Sequence, residues 1–174
     1  MADILFSGVG SSDPVRGLHD GAMLHIVRHY KPAEVYLFIT AEMKQHDDDD
    51  DRYSKAIKSL EKSIGYCPRI HKIDSGIVDV DDFDAFMDPF KAVLDDIARE
   101  HPEDRILLNL SSGTVQMKTT MCLLAMDVRY RALGVQVRNW EKRSGQSERT
   151  TSKKYELDVE LELNEDNEPD AANT

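Results

Sequence analysis

Between Asn109 and Lys118 the chain reads Asn-Leu-Ser-Ser-Gly-Thr-Val-Gln-Met-Lys. Three hydroxyl residues, Ser111, Ser112 and Thr114, surround Gly113, and Lys118 stands four positions after Thr114. A glycine frees the backbone, hydroxyls cap, and the first N–H groups of a helix have no partner of their own. Together these make a seat for an anion. A second loop of the same chemistry lies near the N-terminus, with Gly8, Gly10, Ser11, Ser12 and Asp13. The amides of residues 10–13 and 112–115, the hydroxyls and Lys118 are the groups that would hold a phosphate-like ligand.

Other chemistries fit these residues less well. A phosphate loop of the ATPase kind needs glycine directly before the lysine and another glycine five residues earlier; here Met117 and Ser112 occupy those places. The dinucleotide pattern finds its first two glycines in Gly8 and Gly10, but Asp13 replaces the third and would repel a pyrophosphate. Glu42, just beyond the second strand, could still stand at a ribose, so a nucleotide-cofactor domain remains the alternative. A serine-hydrolase elbow lacks its first glycine, since residue 109 is asparagine. His25 and His29 share a helical face but have no third ligand, and no metal site is expected. The run Asp47 to Asp51 reads as a solvated helix start. Read as no more than a tight strand-to-helix turn, residues 111–114 leave Asn109, Ser111, Gln116 and Lys118 unexplained.

Two loops far apart in sequence act together only if the fold joins them. Strand patterns at 3–8, 34–40, 69–77, 105–110 and 133–140 alternate with helix patterns at 17–30, 47–65, 83–101 and 114–131. Pro32 stops the first helix, and Pro89 sets the regular part of the third. Residues 155–163 alternate strictly and read as an antiparallel edge strand beside 133–140. The spacing predicts an α/β fold: a Rossmann-like, open, mostly parallel sheet with helices on both faces and an antiparallel edge strand. In the doubly wound order the first and fourth strands are neighbours at the point where the winding reverses. Ligands bind there, outside the C-terminal strand ends. The two candidate loops follow those two strands. Residues 141–153 read as an exposed loop, and 164–174 as an acidic tail or linker stub beyond a domain of residues 1–163.

The chain has 174 residues, 40% of them hydrophobic and 7% aromatic, enough for one domain. Its net charge of −11 and pI near 4.9 exclude a partner read through a basic face, so no DNA or RNA duplex is expected. Local N–H donors can hold a small anion without net positive charge. Cys67 and Cys122 are far apart in sequence and read as free thiols of a reducing compartment. Neither a signal peptide nor a membrane span is visible, so a soluble, cytoplasmic chain is expected.

Two stretches carry a resemblance. One runs Gly-Val-Gly-Ser-Ser-Asp-Pro-Val-Arg (residues 8–16) into Asp-Gly-Ala-Met-Leu-His-Ile-Val-Arg-His-Tyr (20–30). The other is Asn-Leu-Ser-Ser-Gly-Thr-Val-Gln-Met (109–117). They resemble the CARF (CRISPR-associated Rossmann fold) sensor domain of the ancillary HEPN ribonucleases of type III-A CRISPR systems. The likeness covers residues 1 to about 163 and departs at Val115, where many relatives carry proline. The resemblance implies a homodimer that binds a cyclic oligoadenylate second messenger across its two-fold axis, with the six-membered ring favoured. No further cofactor is expected. The implied ligand-binding residues are Gly10, Ser11, Ser12, Asp13, Ser111, Ser112, Gly113, Thr114 and Lys118, with Thr40 and Gln116 as candidate partners of the adenine edge. The family's RNA-cutting HEPN signature is arginine followed by histidine after four to six residues. No arginine here has a histidine at that spacing. RNA is therefore expected as a partner only through an effector domain outside this chain. Some domains of the family also open their own ligand as ring nucleases. Were this one to do so, Thr114 is the candidate catalytic residue, orienting the attacking 2′-OH and stabilising the phosphorane.

Overall fold

The structure, a computed structural model, describes residues 1–139 and 155–161. The expected strands at its centre are β1 (Asp3–Gly8), β4 (Glu34–Ile39), β5 (Arg69–Asp74), β6 (Arg105–Asn109), β7 (Leu133–Asn139) and β8 (Tyr155–Leu161). They form one sheet in the order β5-β4-β1-β6-β7-β8. Every neighbouring pair is parallel except β7–β8, which is antiparallel. Counted as core strands this is 3-2-1-4-5-6, the doubly wound order. β1 and β6 pair directly, Phe6 opposite Leu108, so the loops after them emerge side by side.

Strand side chains alternate between two buried clusters, as a sheet covered on both faces requires. Ile4, Phe6, Tyr36, Phe38, Ile106 and Leu108 pack with Phe86, Phe90, Leu94 and Ile97 of α5 (Asp84–Glu100) and Met117, Met121 and Leu124 of α6 (Val115–Ala125). Leu5, Val35, Leu37, Ile39, Leu107, Leu133 and Val135 pack with Met23, Leu24, Ile26 and Val27 of α1 (Ala22–Tyr30) and Tyr53 and Ile57 of α3 (Arg52–Lys58). The chain adopts the Rossmann-like α/β fold, and the switch point lies inside it rather than at an edge.

Four expectations change. The first helix begins at Ala22, not residue 17. Residues 15–20 instead form a two-stranded hairpin, β2 (Val15–Arg16) against β3 (His19–Asp20), turning at Gly17, whose φ is +62°. Leu18, counted on sequence as part of the helical stripe, is 91% exposed at its tip. Second, the acid run does not open a helix. It closes α2 (Ala41–Asp50), with Asp51 in the left-handed region before α3; α4 (Leu60–Ile64) completes the segment. Carboxylates at a helix C-terminus oppose its dipole. Lys72 of β5 compensates, donating to Asp47 and Asp51 at 2.6 Å each. Third, α5 starts at Asp84 and carries Pro89 inside it rather than at its start. Fourth, α6 ends at Ala125, not at residue 131. β1 spans the expected residues, while β4, β5 and β6 end one to three residues early. The expected loop at 141–153 and tail at 164–174 lie outside the described residues. Among the described residues no helix is long and apolar enough to cross a membrane.

Candidate functional site

The site begins at the ends of β1 and β6. Gly10 and Gly113 touch backbone to backbone: a Cβ on Gly10 would lie 3.0 Å from the Gly113 N and 3.1 Å from its Cα. Gly113 has φ +95°, a conformation glycine tolerates and other residues resist. The loops therefore meet at two residues without side chains and line one concavity. The Gly10 and Asp13 N–H groups, expected to face a ligand, are instead spent inside the 10–13 turn, on Asp13 Oδ2 and the Gly10 carbonyl.

A buried polar relay fixes the loops. Asn109 is fully buried at the end of β6. Its Nδ2 donates to Ser7 Oγ at 2.9 Å and to Ser112 Oγ at 2.8 Å, while its Oδ1 accepts from the Ser111 N–H at 2.8 Å. Ser7 Oγ passes its own proton to the Gly8 carbonyl at 2.6 Å. Ser112 lies beside Asp13 and favours its ionised form. Asp13, 5% exposed, accepts from the Gly10 N–H through Oδ2 and from the Met23 N–H through Oδ1, each at 3.0 Å. Burial pushes the Asp13 carboxyl above the usual carboxylate range, against the pull of those hydrogen bonds and of Lys118. Ser111 Oγ accepts from the Val137 N–H at 2.8 Å, tying the loop to β7.

Gly10, Ser11, Ser12, Asp13, Ser111, Ser112, Gly113 and Lys118 line one cavity of about 160 Å³, with Ala22 and Val137. Eight of the eleven residues singled out on sequence thus come together. Asp13 does so in a different capacity, since both its oxygens face inward and hold the loop. Lys118 alone among the lining residues is cationic, and it forms no ion pair among the described residues. The concavity has room for a phosphate group.

Thr114, Gln116 and Thr40 lie outside this lining. Thr114 is the N-cap of α6: its Oγ1 accepts from the Met117 N–H at 3.4 Å and donates to the Val80 carbonyl at 3.4 Å. Both bonds are long, so the hydroxyl is weakly committed. Gln116 is half-buried on the first turn of α6. Thr40 is buried at the junction of β4 and α2. Among the described residues no three His, Cys, Asp or Glu side chains are grouped to hold a metal. Sequence reasoning passed over Ala22 and Val137, and it noticed Asn109 without giving it a place. The available signal was polarity: Asn109 and Ser7 are polar positions at the ends of two otherwise apolar strands.

Comparison with known proteins follows the same geometry. Residues 69–174 match the model of the Cas_Csm6 CARF domain. The chain is 36% identical over 177 residues to the CRISPR system endoribonuclease Csm6 of Mycobacterium tuberculosis, covering 98% of this chain and 40% of that protein. It is 43% identical over 125 residues to the protein of that name from Enterococcus italicus, covering 69% of this chain and 28% of the relative. The chain therefore spans well under half the length of these relatives. Among solved structures, Enterococcus italicus Csm6 bound to cyclic hexa-2′-fluoro-hexa-dAMP superposes with a TM-score of 0.71 at 37% identity, over 81% of this chain and 34% of that one. Can2 from Sulfobacillus thermosulfidooxidans, in complex with cyclic tetra-adenylate, superposes with a TM-score of 0.51 over 78% of this chain and 32% of that one. At 15% identity it shares the fold alone.

Proposed function

The chain belongs to the Csm6 CARF-domain family, and from that premise we propose that it is a sensor that binds a cyclic oligoadenylate, six-membered by preference, in a homodimer. The observation that carries the reading is the phosphate-sized seat where the Gly10 and Gly113 loops meet. One chain offers room for a phosphate, and a ring needs several such seats facing one another. The ring size is supported by the hexameric ligand in the Enterococcus italicus structure. RNA cutting, named for the relatives, belongs on this reading to an effector part outside these residues.

The dimer is supported by the outer side of α6. Val115, Leu123 and Met126 are exposed at 72%, 46% and 54%, and Thr119 and Cys122 share their side of the helix. That face carries no charge in a chain that is 32% charged, and it starts beside the seat. Exposed apolar side chains gathered on one face mark a surface that a partner covers. Titration calorimetry with cyclic hexaadenylate is expected to give one ring per two chains, with a dimeric sedimentation mass. No heat and no thermal shift with either the six- or the four-membered ring would sink the reading.

We place any opening of the ring at Thr114. The 2′-OH of one adenosine attacks the neighbouring phosphorus, the bond to the 5′-oxygen breaks, and a 2′,3′-cyclic phosphate forms. A threonine hydroxyl does not ionise near neutral pH, so its part is to orient and to stabilise charge. Thr114→Ala is expected to slow single-turnover ring opening more than it weakens binding, with chelator making no difference. Equal rates for mutant and parent, with only a lower melting temperature, would leave Thr114 a helix cap worth about 1 kcal/mol.

A further inference from the structure

We propose that the hairpin of residues 15–20 is a clamp over the bound ring, and that Arg16 on it is a further phosphate-binding residue. The inference rests on the cyclic oligoadenylate reading above.

The hairpin springs from the rim of the seat. Ser12, Asp13 and Ala22 line the cavity, and the chain leaves it at Pro14 and returns at Gly21, where the Gly21 N–H donates to the Pro14 carbonyl at 2.7 Å. Two residue pairs make up the ribbon, Val15 with Asp20 and Arg16 with His19. A ribbon this short is not stable on its own. It is held to α1 by Asp20, whose two oxygens accept from Arg28 Nε at 2.8 Å and Nη2 at 3.3 Å. The fold thus anchors an arm whose Val15, Arg16 and Leu18 side chains are left in solvent. Val15 is 51% exposed, Leu18 is 91% exposed, and Arg16 is exposed without an ion pair among the described residues.

A free cation and an apolar tip suit a nucleotide better than solvent. Arg16 is two strand residues from the neck, about 7 Å along the ribbon, within a long side chain's reach of the seat. The lining of the seat supplies one cation, Lys118, on a chain of net charge −11, whereas every nucleotide of the ring adds a phosphate. An arginine that forks onto phosphate oxygens supplies the missing local charge. Leu18 at the tip is then placed against the apolar face of a purine instead of water.

The test is a titration of the whole chain with cyclic hexaadenylate at a series of salt concentrations. Arg16→Ala is compared with Arg131→Ala, which removes the same charge from the opposite pole of the sheet, where Arg131 also lacks an ion pair among the described residues. Arg16→Ala is expected to weaken binding at least tenfold and to flatten the slope of log affinity against log salt by about 0.7 for each arm engaged. Arg131→Ala should change neither. Leu18→Ala should weaken binding severalfold with the slope intact. Parent-like affinity and slope in Arg16→Ala, or equal losses in both arginine variants, would overturn the clamp while leaving the ring reading in place. Absence of binding by the unaltered chain would overturn both.

Discussion

Replacing Asn109 with alanine should lower the melting temperature by roughly 5–15 °C and weaken ring binding about a hundredfold. Three hydrogen bonds depart with the amide, and they end on groups with few alternatives. Ser7 Oγ already gives its proton to the Gly8 carbonyl, so it cannot turn to fill the gap. Ser112 Oγ would lose the one donor it accepts from among the described residues. Buried groups left without partners cost about 1–3 kcal/mol each, and a loss of a few kcal/mol in a domain of this size moves the midpoint by that range. Asn109→Asp, though isosteric, should fare no better. It sets a carboxylate against two hydroxyl oxygens that had accepted from the amide, and the Ser7 proton is already given to the Gly8 carbonyl. Thermal melts and ring titrations of the three proteins decide the matter. A melting temperature and affinity within error of the parent would show the relay to be idle.

Gly10→Val should affect binding more than stability. A first carbon on Gly10 already lies 3.0–3.1 Å from the Gly113 backbone, closer than ordinary contact, and the branches of valine have nowhere to go. No flexible side chain can yield there, so the loops must part. Gly10 also donates to Asp13 and accepts from the Asp13 N–H, so its displacement opens the 10–13 turn. Overpacking of this kind costs about 1–3 kcal/mol. Ring affinity should fall more than a hundredfold, because the seat is the space the two loops enclose. Gly65→Ala separates this from glycine loss in general. Gly65 has φ +66° but nothing within 4 Å of its missing Cβ, so stability should drop with affinity unchanged. Equal affinity in Gly10→Val and the parent would place the ligand elsewhere.

Much of the fold was legible in the sequence because buried parallel strands announce themselves. Runs such as Ile-Leu-Phe and Val-Tyr-Leu-Phe-Ile have no other use in a charged chain, and their alternation with helices limits the topology to a few orders. The meeting of the two loops followed from that order alone. The details that failed depend on contacts rather than pattern. Residues 17–30 carry apolar residues at helical spacing, yet two glycines, at 17 and 21, let the chain turn back before the helix starts. The acid run followed a dipole rule that a lysine from a distant strand overrides. Asp13 reads as a ligand group from its place in the glycine- and serine-rich loop, whereas its position in three dimensions makes it a staple. Asn109 could be seen as unexplained but not as a hub, since its partners Ser7 and Ser112 become neighbours only once β1 and β6 pair.

The bond from the Val137 N–H to Ser111 has a mechanical side. β6 ends at Asn109, paired with Val135, so beyond that point a hydroxyl of the binding loop stands in for the missing strand. At that same place the pairing of β7 with β8 slips register, between Gln136 and Val137. From there β8 runs three residues, Val159 to Leu161, to the far pole, where Leu161 pairs with Gly134, about 10 Å away. The seat and the outermost strand are thus joined through β7 at the place where the β7–β8 pairing shifts register. A tug on the loop is shared between the stiff centre of the sheet, through Asn109, and the edge ribbon, through Val137.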